Sequence, residues 1–123
     1  MIRVAPLLKV LGCLAGALAV IFSAPGARHG LGLSSADGEL LTALAMMLGF
    51  HAPALIAVGI WGAWRGGLIL ALGLLLFSQA MMLRLFFPEM GRDVAIGMVI
   101  GGCLMVCGWV WLTVVALREA SDD

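Results

Sequence analysis

A histidine in the middle of a long apolar run is the first residue whose type suggests chemistry. His51 stands in the stretch "GFHAPAL", residues 49–55, and Pro53 follows it closely. Ionisable groups inside membrane helices usually face other helices and find a partner there. Proline cannot donate to the carbonyl four residues earlier, so the carbonyl of Gly49 needs another donor. His51 is therefore either a structural hydrogen-bonding residue or a residue that relays protons or contacts a ligand.

Three further polar residues are predicted to lie at the depth of His51. At 1.5 Å per residue, His51 lies about 16 Å into its apolar segment. Ser78, Gln79 and Cys103 lie about 13 Å into theirs from the same side. Ser78 or Gln79 would supply the hydrogen bond that a neutral histidine requires, because hydrocarbon supplies none. The sequence thus predicts a polar layer near the midplane: His51, Ser78, Gln79 and Cys103.

Other arrangements of reactive residues point away from an enzyme. The acidic residues all fall near predicted loops or chain ends, so a proton or cation pump would lack an acid at the midplane. His29 and His51 lie at different predicted depths, which makes them poor opposite ligands of one haem. Cys13, Cys103 and Cys107 are scattered and are expected to be small, buried packing residues. We expect no catalytic residues, no cofactor and no metal.

The amino-acid composition indicates a protein whose surface faces lipid rather than water. Of its 123 residues, 63% are hydrophobic and 11% are charged, and the mean hydropathy is +1.16. A water-soluble domain of this size needs a larger polar surface. Apolar stretches long enough to cross a bilayer occupy residues 5–24, 40–63, 66–87 and 94–117, with approximate ends. The prediction is an all-α, antiparallel bundle of four transmembrane helices that forms one domain, 1–123. The net charge of +0 leaves no basic patch for nucleic acid.

The first apolar segment also resembles a signal peptide. Arg3 and Lys9 precede or enter it, and "FSAPGA" offers small residues for cleavage. Small residues nevertheless continue along one face of the segment, so we expect it to be kept as the first helix. The next connection is rich in glycine and serine, and a tight turn is expected in "AWRGG", around Arg65.

Positive charges near the helix ends predict the orientation of the chain. With both termini inside, the cytoplasmic set is Arg3, Lys9, Arg65 and Arg118. The outer set is Arg28, Arg84 and Arg92, one fewer. The excess predicts cytoplasmic termini. A single lysine and abundant alanine, glycine and leucine suit a bacterial gene of high GC content, so we expect the bacterial inner membrane.

Two segments carry small residues on one helical stripe. In the first segment the stripe includes Gly12, Gly16 and Ala19, and in the fourth it includes Gly97, Gly101 and Gly108. Small residues let two helix backbones approach closely in a membrane. Lys9 and Arg84 lie near segment ends, where long basic side chains reach the interface or bind lipid headgroups.

Four short motifs resemble a known family in the same order. They are "SAPGARHG" at 23–30, "FHAPAL" at 50–55, "LFSQ" at 76–79 and "GGCLMVCGW" at 101–109. The sequence resembles the small four-helix membrane proteins of the YgdD type (domain of unknown function four-two-three). Within that resemblance His29 lies one place after the family's histidine, and Gln79 replaces a glycine. The resemblance implies four helices in the inner membrane and brings no established activity.

Two functional hypotheses follow. The leading one is a non-enzymatic membrane protein that acts by helix packing, as a homo-oligomer or as an accessory subunit of a larger inner-membrane complex. Its basis is that the glycine stripes exceed what a minimal bundle needs. The alternative is a small transporter or channel component with a polar pocket around His51. In both cases the expected partners are membrane lipids and either a second copy or another membrane protein.

Overall fold

The computed structural model describes residues 4–122, apart from the side chains of Arg28 and Asp122. It consists of five helices and one 3-10 turn: α1 (Val4–Ser23), α2 (Ala27–Gly30), α3 (Ser35–Trp61), α4 (Trp64–Phe86), the turn Pro88–Met90, and α5 (Gly91–Asp122). The described residues include no strand. The predicted all-α fold is confirmed. Arg3, counted above for the orientation, lies outside the described residues.

Four of the helices are long and apolar enough to cross a membrane: α1, α3, α4 and α5. The chain is thus a multi-pass membrane protein. Two helices, α3 and α5, extend by three or more residues beyond their predicted ends. α3 begins at Ser35 because Ser34 caps it, its hydroxyl oxygen accepting from the backbone N–H of Asp37 at 3.2 Å. α5 continues to Asp122, so the polar segment after the apolar run is also helical.

The connection between α3 and α4 differs from the predicted turn. α3 ends at Gly62, whose φ of 89° is left-handed and whose N–H donates to the carbonyl of Val58 at 3.0 Å. Arg65 already belongs to α4, and its guanidinium carbon lies 5.3 Å from the centre of the Trp64 ring. The two glycines after it are helical because both are packed against other helices. The predicted turn at "AWRGG" is therefore wrong by about three residues.

The helices form two closely packed pairs, α1 with α3 and α4 with α5. Helix α4 joins the pairs, because it also contacts α3 and, less extensively, α1. Large leucines fill the space where the pairs meet, and several are fully buried: Leu8, Leu41, Leu44, Leu55 and Leu70. This arrangement fixes which faces of each helix remain open to the membrane.

Candidate functional site

His51 lies inside the bundle, on an unbroken α3 that continues through Pro53 to Trp61. The side chain is 8% exposed. Its Nδ1–H donates to the carbonyl oxygen of Met47 at 2.8 Å, one helical turn earlier. Its Nε2 accepts from the indole Nε1–H of Trp109 at 3.4 Å. A neutral imidazole has one N–H donor and one nitrogen acceptor, so both ring nitrogens of His51 have a hydrogen-bond partner.

The partner of His51 comes from α5 rather than from α4. The rings of His51 and Trp109 lie 6.1 Å apart, tilted by 54°. A second indole forms a similar connection nearer the end of the bundle, where Trp61 Nε1–H donates to Glu119 Oε2 at 2.8 Å. These two hydrogen bonds link α3 to α5, whose main packing partner is α4.

Ser78 and Gln79 lie on a different side of α4 from the His51–Trp109 pair. Both line a cavity of about 450 Å³ between α1, α3 and α4, and His51 does not line it. The Ser78 hydroxyl is buried and has no hydrogen-bond partner among the described residues. Cys103 is exposed on α5. The structure therefore divides the residues predicted to form one polar layer into three separate places.

The cysteines do not pack inside the bundle. Cys13, Cys103 and Cys107 are free thiols and all three are exposed. The expectation of buried packing cysteines is wrong, because these positions face away from the glycines that contact neighbouring helices. Within the described part of the chain, no three His, Cys, Asp or Glu side chains converge as a metal site would require.

The glycine stripes are used inside the chain. A Cβ on Gly12 would lie 2.7 Å from the carbonyl oxygen of Ala52, and one on Gly101 would lie 2.6 Å from the backbone nitrogen of Phe77. Gly97 and Gly108 also face α4, while Gly16 and Ala19 face α3. The glycine stripes thus form the contacts within the two helix pairs. They are therefore not available as extra packing surface for a second protein, which was the basis of the leading hypothesis.

Sequence reasoning missed the glycines on the opposite sides of these contacts. A Cβ on Gly59 would lie 2.9 Å from the carbonyl oxygen of Ala5, and one on Gly73 would lie 2.6 Å from the nitrogen of Met105. Both glycines lie within apolar segments, and membrane helix interfaces favour small residues. Their positions in the sequence could therefore have indicated helix contacts.

The two basic residues predicted to meet lipid headgroups lie near helix ends. Lys9 is exposed, and its stem covers Gly59, since Cγ lies 3.0 Å from where a Cβ of that glycine would be. Arg84 is exposed in the last turn of α4, and its Nη1–H donates to the carbonyl oxygen of Pro88 at 3.0 Å. Arg84 thereby holds the 3-10 turn against the end of α4.

Comparison with known proteins gives no family. The sequence matches no protein-family model, no curated protein and no solved structure. The resemblance to the YgdD type remains a prediction. Fold and composition define the class, which is a small multi-pass membrane protein of four spanning helices.

The His51–Trp109 hydrogen bond gives a first testable prediction. Replacing His51 with Leu leaves the indole donor without an acceptor, whereas His51→Gln retains an acceptor and is expected to preserve the fold. Interhelical hydrogen bonds in membranes contribute roughly 0.6–2 kcal/mol. We therefore expect His51→Leu and Trp109→Phe to destabilise the protein non-additively, with a coupling energy of about 1 kcal/mol. A double-mutant cycle of unfolding in mixed micelles measures it, and strictly additive effects would contradict the hydrogen bond.

Proposed function

We propose that the protein is a non-enzymatic membrane protein that acts by helix packing, as a homo-oligomer or as an accessory subunit of a larger membrane complex. The observation that carries this proposal is the outer face of α5, the side away from α4. It consists of Val99, Cys103, Val106, Cys107 and Val110, all of which are exposed.

The five side chains that define this outer face are all short, and Ile96 and Ile100 are exposed beside them. The open face of α1 mixes short side chains, Val10, Cys13 and Val20, with the longer Leu14 and Leu18. Leu72 and Leu75 are exposed on α4. Valine loses little rotamer freedom when it is packed, because its χ1 is already restricted in a helix. Small side chains also let a neighbouring helix approach closely.

The position of α5 in the bundle supports the same proposal. The membrane-spanning windows of α5 and α1 are each 22% buried within the chain, compared with 44% for α3 and 39% for α4. α5 packs mainly on one helix, α4, so most of its circumference is available to a neighbour. The transport alternative has less support, because His51 lies apart from Ser78 and Gln79.

We further propose that Lys9, Arg65 and Arg118 lie at the cytoplasmic end of a bacterial inner membrane. The helix directions place the start of α1, the connection between α3 and α4, and the end of α5 at one end of the bundle. Basic residues concentrate on the cytoplasmic side. A reporter fused after residue 120 that gave an external signal would overturn this orientation.

Native thiols provide the test of helix packing. Single-cysteine variants that keep only Cys103, only Cys107 or only Cys13 are oxidised in their own membranes. A disulfide forms where two Cβ atoms approach to about 3.5–4.5 Å. We expect the Cys103 or Cys107 variant to form a cross-linked species several times faster than the Cys13 variant.

The mass of the cross-linked species separates the two forms of the proposal. Twice the chain mass indicates a homo-oligomer, and any other added mass indicates a foreign subunit. The Cys13 variant is the matched control, because its thiol is also exposed in an apolar helix. Equal rates for all three variants, or no cross-link on α5, would overturn the proposal.

A further inference from the structure

The cavity between α1, α3 and α4 contains two polar groups that the chain itself does not satisfy. The buried hydroxyl of Ser78 has no partner within residues 4–122. The side-chain amide of Gln79 is exposed on the same wall, and no hydrogen bond to the described residues involves it. All other lining residues are apolar. Unpaired polar groups inside hydrocarbon are costly, and the Gln79 amide, which is exposed, can take a partner from outside the chain.

The position of Gln79 restricts the charge of that partner. Gln79 lies four residues from the middle of α4, or about 6 Å from it along the helix axis. The hydrocarbon core extends about 15 Å on each side of the midplane, so the amide is well inside it. No lining residue is charged. A phosphate or an ammonium group would therefore be placed in hydrocarbon without a counter-ion, which membranes strongly disfavour.

The shape of the cavity restricts the size of the partner. On α1 its lining extends from Leu7 to Phe22, which is about 22 Å at 1.5 Å per residue. Measured out to the surrounding side chains, the empty space is about 1190 Å³, which over that length gives a mean cross-section of about 54 Å². An α-helix with side chains is at least 10 Å across, or about 80 Å². The cavity is thus too narrow for a helix of a second copy and suits a chain-like molecule.

We propose that this cavity binds a neutral amphiphile, a long aliphatic chain that ends in a hydroxyl or carbonyl group. The head lies at Gln79, whose amide can donate to a carbonyl and accept from a hydroxyl. The chain extends from there along the leucines toward Leu68, about 16 Å away at the helical rise. The volume lies within the ordinary range of small-molecule sites.

Photolabelling of the full chain tests this site. The protein is placed in phosphatidylcholine vesicles with a long-chain fatty alcohol that carries a diazirine midway along the chain, and labelled peptides are mapped by mass spectrometry. We expect labelling of the cavity, at Leu14 and Leu75, at least about fivefold above labelling at Val106 on the outer face of α5. The same chain ending in phosphate is expected to show no such preference. Equal labelling of the cavity and α5, or equal preference for both heads, would overturn the proposal.

Two variants and one matched control make the test specific. Gln79→Leu removes the polar head contact and leaves the fold intact, because the amide has no partner inside the chain. Leu72→Trp fills the cavity from its exposed rim. Each is expected to reduce cavity labelling at least about fivefold. Val106→Trp makes a similar change on the outer face of α5 and is expected to leave cavity labelling unchanged.

Competition identifies the source of the ligand chemistry. Unlabelled monoacylglycerol and an isoprenoid quinone each carry a neutral oxygen-bearing head and a long chain, and displacement of the probe by either supports the site. Displacement by neither would overturn it. A second copy of the chain that covers the cavity would also overturn the proposal. In that case the wild-type protein would be a dimer that excludes the probe, and Leu72→Trp would convert it to a monomer.

Discussion

Replacing Gly101 with Ala is expected to destabilise the protein by roughly 1–3 kcal/mol, whereas the same change at the next residue, Gly102, is expected to cost nothing. A Cβ on Gly101 would lie 2.6 Å from the backbone nitrogen of Phe77 and 2.9 Å from the carbonyl oxygen of Gly73. Backbone atoms cannot turn away as a side chain can, so α4 and α5 must separate. A Cβ on Gly102 would meet nothing within 4 Å.

The two variants are matched because each replaces a glycine with alanine in the same turn of α5. Alanine stabilises a helix by about 1 kcal/mol relative to glycine. This gain is the same at both positions, so it cancels in the difference between the two variants. The free energy of unfolding in mixed micelles, followed through the fluorescence of the tryptophans, measures that difference. Equal stability of the two variants would show that α5 does not approach α4 as closely as the structure has it.

A second large effect is expected where α1 packs on α3. A Cβ on Gly12 would lie 2.6 Å from Cγ1 of Ile56 and 2.7 Å from the carbonyl oxygen of Ala52. On the next turn, a Cβ on Gly16 would lie 3.5 Å from the Cβ of Ala52, an ordinary contact. We expect Gly12→Ala to destabilise the protein by about 1–3 kcal/mol and Gly16→Ala to be neutral or slightly stabilising.

The same unfolding measurement separates these two variants, and a thiol in α1 gives a second readout. Cys13 is exposed and adjacent to Gly12. If Gly12→Ala separates α1 from α3, the kinetics with which a membrane-permeant maleimide labels Cys13 should change, and Gly16→Ala should leave them as in the wild type. A Gly12→Ala variant as stable as Gly16→Ala would contradict the close contact with the Ala52 carbonyl.

Composition was enough to predict the spanning helices, because hydrocarbon accepts long apolar segments as helices. Their ends were less predictable. Ser34 starts α3 earlier than the apolar run does, because a hydrogen-bonded cap lies outside that run. The sequence predicts a turn at glycines 66 and 67, whereas both lie in α4 and contact other helices. Glycine marks a turn in water but often marks a helix contact in a membrane.

The candidate site shows what depth alone cannot predict. Counting residues predicts His51, Ser78 and Gln79 at one level, but the rotation of each helix about its axis decides which of them meet. That rotation is set by the glycine contacts, which turn His51 toward Trp109 and turn Ser78 and Gln79 toward α1. The pairing of residues 51 and 109 is a contact between distant parts of the chain, which no local pattern reveals.

The two closely packed helix pairs also set an order of assembly during synthesis. Each pair consists of spanning helices that are consecutive along the chain, α1 with α3 and α4 with α5. Each can therefore close as soon as its second helix has entered the membrane, since local contacts form before distant ones. The first pair can close before α4 has entered the membrane, and α4 then connects the second pair to it. The hydrogen bond from Trp109 to His51 joins the two pairs and can form only after α5 has entered the membrane.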